Sequence, residues 1–191
     1  MSGRLGAAVQ AVGFVAVFAL SGALAGVIWE RLWDAPVGVA FEDQWFLEPA
    51  GPDYSFSGTG WYVLVALVAG ALTAFALGWF WPRHELVGVG AFVVGSMLAG
   101  WVMFKVGHAL GPQDPRVLAA GKPDLTAIPS DLTLAGVDGQ PRLFRLDSSA
   151  LAAYPIGAMF ASLYVYLVAT GRRSGRPSAH RVAEVETPPA G

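Results

Sequence analysis

The stretch Phe104-Lys105-Val106-Gly107-His108-Ala109-Leu110-Gly111-Pro112 brings together the residue types in this chain best suited to chemistry. If one helix runs through to Leu110, Lys105 and His108 stand at i and i+3 on the same face. A lysine buried in apolar surroundings needs a counter-ion, because a charge at bilayer centre costs ~2.5–3.5 kcal/mol on insertion scales. Glu30 is the natural partner for Lys105, and Asp53 and Asp34 are alternatives. Grouped in this way, Lys105, His108, Glu30 and Asp53 would handle a proton or a small ligand. A structural reading stands beside that one: Lys105 stretches its ammonium to the headgroup layer, and His108 caps the helix end.

Other catalytic signatures are missing. The chain has no His-Glu-x-x-His for zinc hydrolysis, no Gly-x-x-x-x-Gly-Lys-Ser/Thr for phosphate and no Gly-x-Ser-x-Gly. With no cysteine, disulfides, thiolate metal sites and cysteine nucleophiles are excluded. Acidic residues gather in two segments, Glu30, Asp34, Glu42, Asp43, Glu48 and Asp53 in one and Asp114, Asp124, Asp131, Asp138 and Asp147 in the other. They lack the Asp-x-Asp-x-Asp-Gly spacing of a calcium loop and read as a solvated face. No metal or cofactor is implied, and no reaction is identified.

The elements that carry these residues follow from composition. Of 191 residues, 54% are hydrophobic and 14% charged, against roughly 25% charged in an ordinary soluble domain. Mean hydropathy is +0.51. A formal net charge of −2 gives no reason to expect nucleic acid as a partner. Residues 5–29, 61–81, 86–104 and 148–171 contain no Asp, Glu, Lys, Arg or His. About 20 residues of helix cross the ~30 Å hydrocarbon core, and lipid offers no partner to an open backbone group. The expected fold is therefore all-α and transmembrane: a four-helix membrane bundle with spans near 5–29, 61–81, 86–110 and 148–171. In the first span, Arg4 and Ala23-Leu24-Ala25 also resemble a cleavable signal peptide. The apolar run continues past Ala25 to Trp29, which favours a retained span.

Four spans put both termini on one side. The short segments grouped with the termini carry Arg4, Arg83, Arg172, Arg173, Arg176 and Arg181, as many basic residues as the two much longer opposite segments. The positive-inside rule then places both ends in the cytoplasm of a plasma-membrane protein. Trp29, Trp33, Trp61, Tyr62 and Tyr154 would lie at the outer interface, and Trp79, Trp81 and Tyr166 at the inner one. Small residues should hold the spans together, since lipid supplies little hydrophobic drive between helices. Gly22 and Gly26 in the first span, Gly70 and Gly78 in the second, and Gly95 and Gly100 in the third are the expected contact points. They predict that spans one, two and three pack tightly, with two and three a hairpin and a bulkier fourth span beside them. The same stripes would serve a homo-oligomer equally well.

The long segments, 30–60 and 111–147, should form a small extracytoplasmic β-hairpin or sheet. Val37, Val39 and Phe41 alternate, Glu42-Asp43 turns the chain, and 131–135 and 142–146 flank Asp138-Gly139, a favoured hairpin turn. Pro112, Pro115, Pro123 and Pro129 make the stretch between irregular. The proline-containing polar tail, 172–191, reads as disordered.

Gly26-Val27-Ile28-Trp29 in the first span, Gly60-Trp61-Tyr62 opening the second, and the Gly107-His108-Ala109-Leu110-Gly111-Pro112 ending of the third together resemble an uncharacterised actinobacterial family of four-span membrane proteins. The likeness covers roughly residues 5–170. A lysine stands at 105 where that family suggests arginine, and the outer hairpin is longer. The resemblance implies an envelope location and supplies no activity. Two functions are compatible with all this: a non-enzymatic accessory or scaffold subunit with a membrane-protein partner, or a small carrier or lipid-binding protein whose outer pocket holds Lys105, His108 and Glu30.

Overall fold

The computed structural model describes residues 2–47, 54–80, 85–135 and 148–174. Four long helices, α1 (Ser2–Leu32), α2 (Tyr54–Phe80), α3 (Glu85–Leu110) and α5 (Ala153–Ser174), form the bundle. Between them come β1 (Val37–Phe41), β2 (Gln44–Leu47), the short α4 (Pro115–Ala119) and β3 (Ala127–Pro129), and a 3₁₀ turn at Ser149–Ala152 leads into α5. All four long helices are apolar and long enough to cross a membrane. The last one runs through Ser174, so residues 172–174 belong to it and not to the tail; 175–191 lie outside the described residues.

The helices associate in two close pairs, α1 with α3 and α2 with α5, and each pair runs parallel. Between α1 and α3 the ladder reads Phe18 on Gly95, Gly22 on Ala99, Gly26 on Met103 and Trp29 on Gly107, rising together along both chains. Between α2 and α5, Leu67 lies on Gly157, Gly70 on Tyr154 and Gly78 on Val165. A side chain at most of these glycines would run into the neighbour's backbone, which marks an interface set by backbone approach. Gly100 turns toward α5, where a Cβ would stand 3.2 Å from the Leu151 carbonyl.

This corrects the expected packing in two respects. Helices α2 and α3 follow each other in sequence but touch only marginally, so they are not the tight pair. The fourth span is not merely bulky: Gly157 provides one of its closest backbone contacts. The reason is that a short connection fixes sequence order and antiparallel direction, whereas matching of small and large residues decides who sits beside whom.

A three-stranded antiparallel sheet, order β2-β1-β3, caps one end of the bundle. Glu42 and Asp43 both take positive φ (49° and 60°), the backbone of a two-residue hairpin turn whose twist suits the flanking strands. The turn is tied down from outside the hairpin. Asp124 accepts from the Glu42 N–H at 3.0 Å, and Asp43 accepts from the Gly121 N–H at 2.9 Å. Along β1 the small residues Gly38 and Ala40 face inward while Val37 and Phe41 are exposed, the reverse of what the Val37/Val39/Phe41 alternation suggests. The Trp45 indole occupies the room left by the missing Gly38 side chain, and Ala40 packs with Ala119 and Ile128 in a small separate core.

The proline-rich stretch is more ordered than expected. Asp114 caps α4 by accepting from the Arg116 N–H at 2.9 Å, with Pro115 at its first position, and Pro129 ends β3 at a sheet edge where a missing N–H is tolerated. Conversely, residues 131–135 form no strand. They lie as an extended strap across the bundle end, with Leu132 and Leu134 buried and Thr133 and Ala135 exposed. The Asp138-Gly139 turn and 142–146 fall outside the described residues.

Candidate functional site

The capped end of the bundle holds the residues that sequence singled out, and it separates them. His108, on the last turn of α3, donates from Nδ1 to the Leu132 carbonyl at 2.8 Å and stacks on Phe104 with ring centres 5.5 Å apart. A carbonyl only accepts, so Nδ1 carries the hydrogen. Lys105 points elsewhere, its ammonium 5.6 Å from the centre of the Trp101 ring, within cation–π range. Glu30 is half-buried on α1. Among the described residues no ion pair or hydrogen bond joins Lys105 to Glu30 or to His108. Asp53 lies outside the described residues, and Asp34 is exposed. His108 and Thr59 act instead as fasteners for the strap, since Thr59 Oγ1 accepts from the Ala135 N–H at 2.9 Å.

Several aromatics expected at the outer interface are core residues. Trp29, Tyr62 and Tyr154 are fully buried and Trp33 nearly so; Trp61 alone of that group is exposed. Trp29 donates to the Gly58 carbonyl at 2.8 Å and meets Tyr62 edge-on, with centroids 5.0 Å apart. Tyr62 donates to the Gly100 carbonyl at 2.7 Å, linking α2 to α3. The polar tips of Trp29 and Tyr62 are thus satisfied inside the bundle, and water is not needed to satisfy them. Trp79 and Tyr166 are exposed toward the other end, and Trp81 lies outside the described residues.

Deeper in, three hydroxyls missed by sequence reading converge from three helices. Tyr154 donates to Ser21 at 2.8 Å, Ser21 and Thr73 lie 2.6 Å apart, and Thr73 donates to the Ala69 carbonyl at 2.7 Å. The only sequence signal was polarity itself, a Ser and a Thr in otherwise apolar spans. Among the described residues no imidazole or carboxylate is bonded to this chain of hydroxyls. It joins α1, α2 and α5. Among the described residues no three His, Asp or Glu side chains are grouped closely enough to hold a metal ion.

A cleft opens at the capped end, between the sheet, the strap and the start of α2. Its volume is about 260 Å³, and its walls include Trp33, Trp45, Gly58, Ser130, Asp131 and Thr133. Trp33 contributes an anomaly: its indole N–H is buried and has no hydrogen-bond partner. A buried donor left unpaired costs roughly 1–3 kcal/mol. Trp45 is fixed by donating to the Ile128 carbonyl at 3.2 Å, whereas the Asp131 carboxylate has no partner among the described residues. A shallower apolar groove of about 440 Å³ runs beside α2 and α5 from Thr59 and Ser149 to Leu67 and Ile156.

Compared with family models, with curated proteins and with solved structures, the chain matches none.

Proposed function

We propose that the chain is a multi-pass plasma-membrane protein, both termini cytoplasmic, that acts as a non-enzymatic accessory or scaffold subunit. Its bundle holds the three-stranded cap rigidly outside the membrane and presents it to a membrane-protein partner. One observation carries this reading: among the described residues the helices meet through buried side chains and glycine-to-backbone contacts, and the hydroxyls of Ser21, Thr73 and Tyr154 are bonded to one another. Such an interior leaves the cap as the surface open to recognition. The arginines that follow the last span favour the proposed orientation, and the envelope setting agrees with the family resemblance.

Chemical cross-linking in intact cells, followed by affinity purification in mild detergent, tests the proposal. A partner membrane protein should copurify in constant ratio, and replacing the exposed turn residues Glu42 and Asp43 by Gly-Ser should release it. Recovery of this chain alone, as a monomer, would refute the scaffold role. The carrier alternative with a Lys105/His108/Glu30 pocket is disfavoured, because His108 is committed to the strap and Lys105 to Trp101.

A further inference from the structure

We propose that the cleft between Trp33, Trp45 and Asp131 is a binding site for a single neutral sugar ring. The inference goes beyond the scaffold role, since it holds whether or not a protein partner docks on the cap.

Four features specify the ligand. The first is size: about 260 Å³ lies just below the usual range for drug-sized ligands, so one ring fits and a large molecule does not. The second is the pair of indoles. Trp45 is half-buried and clamped by its bond to Ile128, a fixed apolar wall of the kind that C–H faces of a pyranose pack against. The third is the set of unspent hydrogen-bonding groups. The Trp33 N–H is buried without an acceptor, and the half-exposed Asp131 carboxylate is bonded to no described residue, so both are available to a ligand. Ser130 contributes a hydroxyl held only by a 3.3 Å bond to the neighbouring Asp131 carbonyl. The fourth is Gly58. A Cβ there would stand 3.3 Å from Trp33 Nε1 and 3.4 Å from the Thr133 carbonyl, so a donor and an acceptor converge where any side chain would crowd them both.

A sugar hydroxyl both donates and accepts, and the ring adds an apolar face, so one ligand class meets every demand. The competing classes each leave a group unmet. A quaternary ammonium would suit the indoles and Asp131 but offers the Trp33 N–H no acceptor. A phosphate or carboxylate would satisfy Trp33 and be repelled by Asp131.

The test is saturation-transfer NMR on the full chain in a sugar-free detergent, with methyl glycosides of glucose, galactose and mannose, and N-acetylglucosamine, as probes. At least one should receive saturation on its ring protons. Asp131→Asn preserves shape and should weaken binding about tenfold or more, the usual scale for a hydrogen bond to a charged group. Gly58→Ala should weaken it comparably, and Lys105→Ala, outside the cleft, should leave it unchanged. Thermal unfolding of each variant separates lost binding from lost fold. The proposal is overturned if no glycoside is saturated, if folded Asp131→Asn and Gly58→Ala proteins bind as tightly as the parent, or if phosphoethanolamine displaces the bound glycoside.

Discussion

A methyl group added at Gly22 would land 2.8 Å from the Ala99 Cα and closer still to its carbonyl oxygen, with nowhere for either backbone to move except apart. Gly90, one helix away, has nothing within 4 Å of the same added atom. The two glycines are chemically identical, so their contrast isolates packing from helix propensity. In chemical or thermal unfolding of the detergent-solubilised protein, Gly22→Ala should cost about 1–3 kcal/mol, the range for overpacking. Gly90→Ala should change stability by about 0.5 kcal/mol or less. Tyr154→Phe should fall between them. It deletes one hydroxyl but leaves Ser21 and Thr73 bonded to each other, and such interhelical bonds average about 0.6 kcal/mol in lipid-facing bundles. Equal effects from Gly22→Ala and Gly90→Ala would mean that α1 and α3 do not approach as described.

Parallel pairing is the property of the elements most open to direct test. A Cβ built at Gly78 on α2 lies 3.7 Å from that of Val165 on α5, inside the separation that a disulfide requires. Because the chain has no cysteine of its own, Gly78→Cys with Val165→Cys gives a clean reporter. Oxidation should produce a faster-migrating, thiol-reversible band, and failure to cross-link would remove the α2/α5 pair. Sequence made the helices legible because four uncharged runs have the length of a span, and it marked the glycines because small residues recur at four-residue steps. It left the partners undetermined: Gly70 in isolation does not say whether it faces Tyr154 or Met103. The same limit explains the cap. Glu42-Asp43 reads as a turn, yet β3 hides among prolines, and the alternation of Leu132 and Leu134 belongs to a strap whose backbone bonds go to His108 and Thr59 instead of a neighbouring strand. Tyr62 and Tyr154 look interfacial by type, but their hydroxyls find a carbonyl and a serine inside the bundle, which removes the reason to seek water.

Taken whole, the bundle is apolar on the outside as well as within. Leu5, Val9, Val12, Leu20 and Leu24 line the outward side of α1, Leu64, Val68 and Leu72 that of α2, and Met159, Phe160, Leu163 and Leu167 that of α5. Leu20 and Leu24 are each 67% exposed, although they sit in the middle of a helix whose other side is fully packed. A soluble monomer rarely exposes a contiguous apolar patch beyond a few hundred Å², and here the band follows several turns of three helices. Among the described residues, exposed polar side chains gather at the capped end, in the Glu42-Asp43 turn, α4 and the segment through Asp124. Four long apolar helices with such a band are compatible with a multi-pass membrane protein. The chain should sediment with membranes in detergent-free lysate, stay there through alkaline carbonate washing and be released by detergent. A cysteine placed at exposed Lys122 should react with an impermeant maleimide on intact cells, and one placed near the chain's end should react only after lysis. The two readouts fail separately: a chain dispersed in the supernatant would refute the membrane setting itself, whereas a membrane-bound chain labelled only after lysis at Lys122 would keep the bundle and invert the cap.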